Sequence, residues 1–260
     1  MIEPPLINIE DLTVSYGRFK AIHQLSTTLP NHGFTALIGP NGAGKSTLIK
    51  AMMGLLNLDS GSIKYQGEYI FRNGKRLNSF STYRKHVSYV PEHASFYDHL
   101  TPREYLKLIG HLLNTDPTSL NSRIEILIND FHIERWADRL IQELSKGNRQ
   151  RLSIMTAFMP ETTKLLILDE PLNGLDPGGK KFLLNYLKRY TTEGLKELDL
   201  SPGTVLLSSH NLSDIDQFYE NVIIINKTGD LVYDGSMELQ TEDNNLEELY
   251  LSTVEDWWQE

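Results

Sequence analysis

The 260-residue chain carries a net charge of −9, with 40% hydrophobic residues, 23% charged residues and no cysteine. It can bury a sizeable core; disulfides and thiolate metal sites are excluded, and a reducing compartment fits. The acidic balance speaks against nucleic acid as a partner, because a phosphate backbone needs a basic footprint. The opening "MIEPPLINIE" lacks the marks of a signal peptide, and no apolar run of about 18 residues predicts a membrane span.

In chain order, Ile7 and Ile9, then Leu12, Val14 and Tyr16, alternate with a phase slip at Glu10-Asp11. This predicts one or two strands with a bulge or turn between them. "KAIHQLSTTLP" reads as another strand, ended by Pro30. "FTALIGP" is a short apolar run of the buried-strand kind, followed by the glycine-rich and then helical "NGAGKSTLIKAMMGLL". "GSIKY" and "EYIFRNGKRL" read as short strands, the second turning at Asn73-Gly74, and "HVSYVPE" as another strand. From Thr101 to about Leu140 the pattern is helical, with Thr101 as N-cap, Pro102 first and Glu104 third. A second helix begins at Ser145, also a cap by type. "KLLILDE" is a buried strand, Asp176-Pro177 opens a helix, and "TVLLSSH" and "NVIIIN" are further buried strands. "KTGDLVYDG" reads as a hairpin arm and "NNLEELYLSTVE" as an acidic terminal helix. Strands alternate with helices, which predicts an α/β chain with a mostly parallel sheet. The N-terminal strands and the helical block from about 93 to 150 depart from that pattern.

Three stretches carry chemistry. Gly39-Pro40-Asn41-Gly42-Ala43-Gly44-Lys45-Ser46 fits G-x-x-x-x-G-K-[ST], with Thr47 next. In such a loop backbone N–H groups turn inward around phosphates, the lysine reaches the β- and γ-phosphates, and the serine hydroxyl binds Mg²⁺. The helix that follows adds its N-terminal dipole. "LLILDEP" ends a strand with Asp169, placed to hold Mg²⁺, and Glu170, placed to polarise water. Alone it would read equally as a strand ending in a solvated acidic turn. "SSHN" puts His210 after another apolar strand, where a neutral imidazole can reach the γ-phosphate or the lytic water.

These parts, with "LSKGN" at Leu144–Asn148 ahead of the acidic strand, resemble the ATP-binding cassette (ABC) ATPase family from about Leu6 to Gly235. Gly39–Thr47 resemble its Walker A loop, Leu165–Glu170 its Walker B strand, Asn173–Asp176 its D-loop and His210 its switch histidine. Tyr16 matches the aromatic that stacks on adenine, Glu92 sits at the Q-loop position, and Ser145 and Gly147 lie in the signature motif. The resemblance implies a P-loop core with an N-terminal antiparallel β subdomain. It also implies an inserted helical signature subdomain at about 93–155, one cassette over 1–240 and an acidic tail at 241–260. It implies ATP and Mg²⁺ as ligands, the metal held by Ser46, Asp169 and Glu92, and ATP cleavage served by Lys45, Glu170 and His210. Two cassettes, identical or not, would pair head to tail, so that Ser145 and Gly147 of the signature face the partner's nucleotide; Asp176 of the D-loop would join the nucleotide-binding residues. The remaining partner would be a membrane permease, with the chain on the cytoplasmic face of the cell membrane.

Two departures stand out: Glu92 where glutamine is usual, and Lys146 and Asn148 where the signature has glycine and glutamine. Both resemble cassettes of export-type permeases. Lys146 reads either as a solvated side chain or as a charge aimed at the partner's γ-phosphate. The charged stretch 193–204 reads as a surface insertion. Rival readings are a soluble ABC ATPase outside transport, an unrelated P-loop kinase or GTPase, and a cassette that binds ATP without cleaving it.

Overall fold

The computed structural model describes residues 4–211, 214–215, 218–236 and 250. A six-stranded sheet has the order β11-β10-β3-β9-β8-β7. Its members are β3 (Gly33–Ile38), β7 (Val87–Val90), β8 (Leu165–Leu168), β9 (Thr204–Ser209), β10 (Asn221–Ile225) and β11 (Leu231–Ser236). All neighbours are parallel except β10 and β11. A second, antiparallel sheet runs β2-β1-β4-β5-β6. It consists of β1 (Ile7–Tyr16), β2 (Phe19–Leu29), β4 (Ser60–Tyr65), β5 (Glu68–Arg72) and β6 (Lys75–Arg76). The phase slip at Glu10-Asp11 is a set of register shifts inside one strand, β1, with Asp11 at φ 49°.

The parallel strands are apolar on both faces, and their alternation sorts two cores. Phe34, Ala36, Ile38, Leu166, Leu168, Val205 and Leu207 face one core; Leu37, Leu165, Ile167 and Leu206 face the other. The first core is shared with α3 (Pro102–Leu112), α4 (Pro117–Asp130), α5 (Lys146–Ala157) and α6 (Pro177–Thr192). The second is shared with α1 (Lys45–Met52), α2 (Phe80–His86) and the antiparallel sheet. Sequence patterning did not predict α2; it is a short helix of seven residues, about two turns, whose Phe80 and Tyr83 are the buried pair.

The helix starts match their caps. Thr101 forms a full capping box with Glu104, and Ser145 Oγ accepts from Asn148 N–H at 3.3 Å. The expectation for 193–204 is overturned. Leu195, Leu198 and Leu200 are 0, 2 and 3% exposed, inside the first core. Arg123 of α4 reaches across and donates from both terminal nitrogens to the Leu198 carbonyl, at 2.7 and 2.6 Å. The segment is therefore a packed strut between α4 and α6, with its charges, Ser201 and Pro202 turned outward. The expected acidic helix at 241–260 lies outside the described residues except for Tyr250. Among the described residues no helix is long and apolar enough to cross a membrane.

Candidate functional site

The register of the parallel sheet brings the three motif ends together. Ile38 pairs with Ser209, Leu168 with Leu207, and Val90 with Leu168. The C-terminal ends of four adjacent strands thus deliver Gly39, His210, Asp169-Glu170 and Pro91-Glu92 to one edge of the sheet, where open α/β sheets bind ligands.

Between β3 and α1 the loop 39–44 wraps into the helix. Gly44 is the helix N-cap, at φ 96°, and a Cβ there would lie 2.5 Å from the Ala21 carbonyl oxygen. Only glycine satisfies both demands. No side chain caps α1, and Leu48 N–H donates to Gly44 O at 2.8 Å. The N–H groups of its first turn stay free to bind an anion. Lys45 is buried, 6% exposed. Its ammonium donates to Gly39 O at 2.7 Å and Pro40 O at 3.3 Å.

Across the cleft, Asp169 and Glu170 are 2 and 7% exposed. Ser208 joins them: its Oγ accepts from Glu170 N–H at 2.8 Å and donates to Asp169 Oδ1 at 2.7 Å. His210 Nδ1 lies 2.8 Å from Glu170 Oε2. Glu170 Oε1 is buried, without a hydrogen-bond partner, and 3.5 Å from the Lys45 ammonium, an ionic approach too long for a hydrogen bond. Glu170 also holds φ 49°, a conformation that is costly for a side-chain-bearing residue and is concentrated at functional sites.

These groups border an open cleft of about 490 Å³, lined by Asn41–Thr47, Glu92, Glu170, Asn173, His210, Tyr16, Phe19 and Ala21. Tyr16 and Phe19 are the facing ends of the β1–β2 hairpin, and both stand exposed at its mouth. Gly39, Pro40 and Asp169 do not line the cleft; the Gly39 and Pro40 carbonyls hold Lys45, and Asp169 is tied to the Glu170 backbone through Ser208. Ser145, Gly147 and Asp176 do not line this cleft. Asp176 caps α6, accepting from Gly179 N–H at 2.7 Å. Lys146 is exposed, and its stem lies across Gly174. Sequence reasoning missed Phe19 and Ser208. Phe19 could have been found as a second aromatic three residues after Tyr16 in a polar turn; Ser208 left no signal beyond its place in "LLSSH".

Among the described residues no cluster of three or more His, Asp or Glu side chains could hold a metal by itself. Ser46, Asp169 and Glu92 do offer the hard oxygen donors that Mg²⁺ prefers, which fits an ion completed by phosphate oxygens and water.

Comparison with known proteins agrees with this geometry. The family model described as "ABC transporter" matches residues 22–173. The lantibiotic transport ATP-binding protein SrtF of Streptococcus pyogenes is 32% identical over 96% of this chain and 97% of its own length. The lipopolysaccharide export system ATP-binding protein LptB of Haemophilus influenzae is 29% identical over 95 and 97%. A solved structure of an ATP-binding subunit of an ABC transporter superposes with a TM-score of 0.79 at 28% identity, covering 96% of this chain and 99% of that one. With a family model matched over more than half its length and a relative matched over nearly all of it, the chain belongs to the ABC transporter family, as an ATP-binding and ATP-hydrolysing subunit.

Proposed function

We propose that the chain works as one of two paired cassettes on the cytoplasmic face of a membrane, powering a separate permease in export. The observation that carries the reading is the single sheet edge where Lys45, Glu170 and His210 meet, with Glu170 held 2.8 Å from His210 and 3.5 Å from Lys45. In this reading the N–H groups of Gly42 and Gly44–Thr47 and the Lys45 ammonium take the β- and γ-phosphates, while Ala43 N–H holds the loop through the Pro40 carbonyl. The phosphates replace the Gly39 and Pro40 carbonyls as partners of Lys45. Tyr16 stacks on adenine, with Phe19 beside it.

Ser46, Asp169 and Glu92 would hold Mg²⁺, which when bound supplies positive charge against the triphosphate. Glu170 draws the proton from a water that attacks the γ-phosphorus, and the bond to the β–γ bridging oxygen breaks. His210 holds the carboxylate in line and reaches toward the γ-phosphate. Ser208 fixes the backbone of Glu170 and one oxygen of Asp169, so both carboxylates are preorganised together. Because Ser145, Gly147 and Asp176 stand outside this cleft, the fitting second wall is a partner's signature segment, presented on the N-terminus of its α5. Export is supported by Glu92, Lys146 and Asn148, and by the similarity to LptB.

The test joins two measurements. Glu170→Gln should bind ATP, stop hydrolysing it and accumulate as a dimer on size-exclusion chromatography only with ATP. The tagged parent, extracted from membranes in mild detergent, should retain one integral membrane protein. A monomeric variant at high concentration with ATP, when mixed with any co-purifying cassette, would refute pairing. Recovery without any integral protein would refute the permease assignment.

A further inference from the structure

The loop that leaves the acidic strand end is gripped by the chain's own helix α5. Gln150, buried on that helix, donates from Nε2 to the Pro171 carbonyl at 3.0 Å. One turn earlier, Lys146 lies across Gly174. A Cβ placed on Gly174 would fall 3.0, 3.1 and 3.2 Å from Cε, Cγ and Cδ of Lys146. Gly147 closes the contact from its own side: a Cβ there would meet the Gly174 carbonyl oxygen at 3.1 Å. Gly174 stands at φ 86°, so it supplies both the turn and the flat surface on which a methylene stem can rest.

The segment held this way begins at Glu170. The Glu170 carbonyl accepts from Asn173 N–H at 3.2 Å, and that of Leu172 accepts from Leu175 N–H at 3.3 Å. Residues 171–174 are therefore pinned at one end by an amide hydrogen bond and at the other by a hydrocarbon contact. Both pins stand on one helical face, at positions i and i+4. A glycine at 146, the residue the signature pattern usually has, would leave the second pin out. A lysine can bury its stem there while its ammonium stays in water.

We infer that Lys146 is a positioning residue: its aliphatic stem, not its charge, clamps loop 171–174 to α5, so that the signature segment and Glu170 move as one body. The consequence for turnover rests on the proposed role of Glu170; the clamp itself does not. When Ser145 and Gly147 engage a partner's nucleotide, the clamp carries that engagement to the carboxylate of the chain's own site. Each cassette would thereby sense the occupancy of the other's site through the stem of one lysine.

Two variants separate stem from charge. Lys146→Ala removes the stem and keeps a good helix former; Lys146→Met keeps a long flexible stem and removes the charge. Hydrogen exchange on the full chain without nucleotide should show the amides of Asn173 and Leu175 exchanging about fivefold faster in Lys146→Ala, and within about twofold of the parent in Lys146→Met. The Gly179 amide, held by Asp176, should not change. In turnover, Lys146→Ala should lose about fivefold in kcat at an unchanged KM for ATP, and Lys146→Met should recover most of it. Unchanged exchange in Lys146→Ala overturns the clamp. So does equal acceleration in both variants, which would assign the contact to the ammonium. A parent without ATPase activity would refute the reading of Glu170, and the exchange data would still decide the clamp.

Discussion

Ser208→Ala tests whether the two carboxylates are built as a unit. The side chain is fully buried, at 0% exposure, and its single oxygen serves the Glu170 amide and the Asp169 carboxylate at 2.8 and 2.7 Å. Alanine fills nearly the same space but leaves a buried N–H without an acceptor, which costs about 1–3 kcal/mol. It also takes a charge-assisted bond from a buried carboxylate, worth about 1.5–3 kcal/mol. The two losses share one atom and do not simply add. A destabilisation of about 2–4 kcal/mol follows, read from the urea midpoint at constant slope. Because the Glu170 amide is one of the restraints on its φ of 49°, turnover should fall as well, by roughly tenfold. Ser209→Ala is the control: among the described residues its hydroxyl bonds only the backbone of Asn211, with both contacts at 3.0 Å, within its own turn. That variant should lose no more than about 1 kcal/mol and keep its activity. A Ser208→Ala protein within about 0.5 kcal/mol of the parent, hydrolysing ATP normally, would refute the linkage.

Tyr16→Phe should hold ATP affinity, whereas Tyr16→Ala should raise the dissociation constant roughly tenfold or more, since base–aromatic stacking is worth about 1–3 kcal/mol. Equal affinities in a fluorescent-nucleotide titration would remove Tyr16 from the site. Glu92→Gln should keep ATP binding but shift the Mg²⁺ dependence of hydrolysis to higher concentration, because an amide is a weaker ligand than a carboxylate; an unchanged profile would separate Glu92 from the metal. His86, whose Nδ1 lies 3.0 Å from the Tyr65 hydroxyl, has a pKa held below the usual 6.5 by burial and then by the Lys164 and Lys85 charges. The unfolded chain takes up that proton first as pH falls. The contribution of His86 is therefore complete above about pH 6.5 and is lost on acidification. His86→Gln should flatten the fall in Tm over that window, and a parallel curve would dismiss His86 as its source.

Much of the site was legible because phosphate binding demands residue types that few other purposes do. Gly44 must avoid the Ala21 carbonyl, and Lys45 and Ser46 must open a helix; that spacing survives in one dimension. Strand ends were legible for a similar reason: a run buried on both faces must stop where polar residues begin, as at Asp169. The misreadings share a cause. In 193–204, Glu193, Lys196, Glu197 and Asp199 hide the three buried leucines, since each leucine is separated from the next by charged neighbours in a single 3₁₀ turn too short to show a helical or a strand period. The partner of that segment, Arg123, gave no sequence signal, because its acceptor is a backbone carbonyl 75 residues away. Ser208 and the stem of Lys146 act by touching residues distant in sequence, and a single sequence records no trace of such contacts.

The strand order also bears on how the protein is made. The phosphate loop hangs from β3, finished by Ile38, but both neighbours of β3 in the sheet, β9 and β10, lie beyond Thr204. At a synthesis rate of about 5–20 residues per second, the ribosome needs roughly ten to thirty seconds to bridge that gap. During the interval β3 has two unpaired apolar edges, the kind of surface that recruits other chains or chaperones. A nascent polypeptide stopped short of β9 would carry the whole glycine loop and still lack the walls that shape it. Acquisition of nucleotide binding is thus a marker that translation has passed β9 and β10.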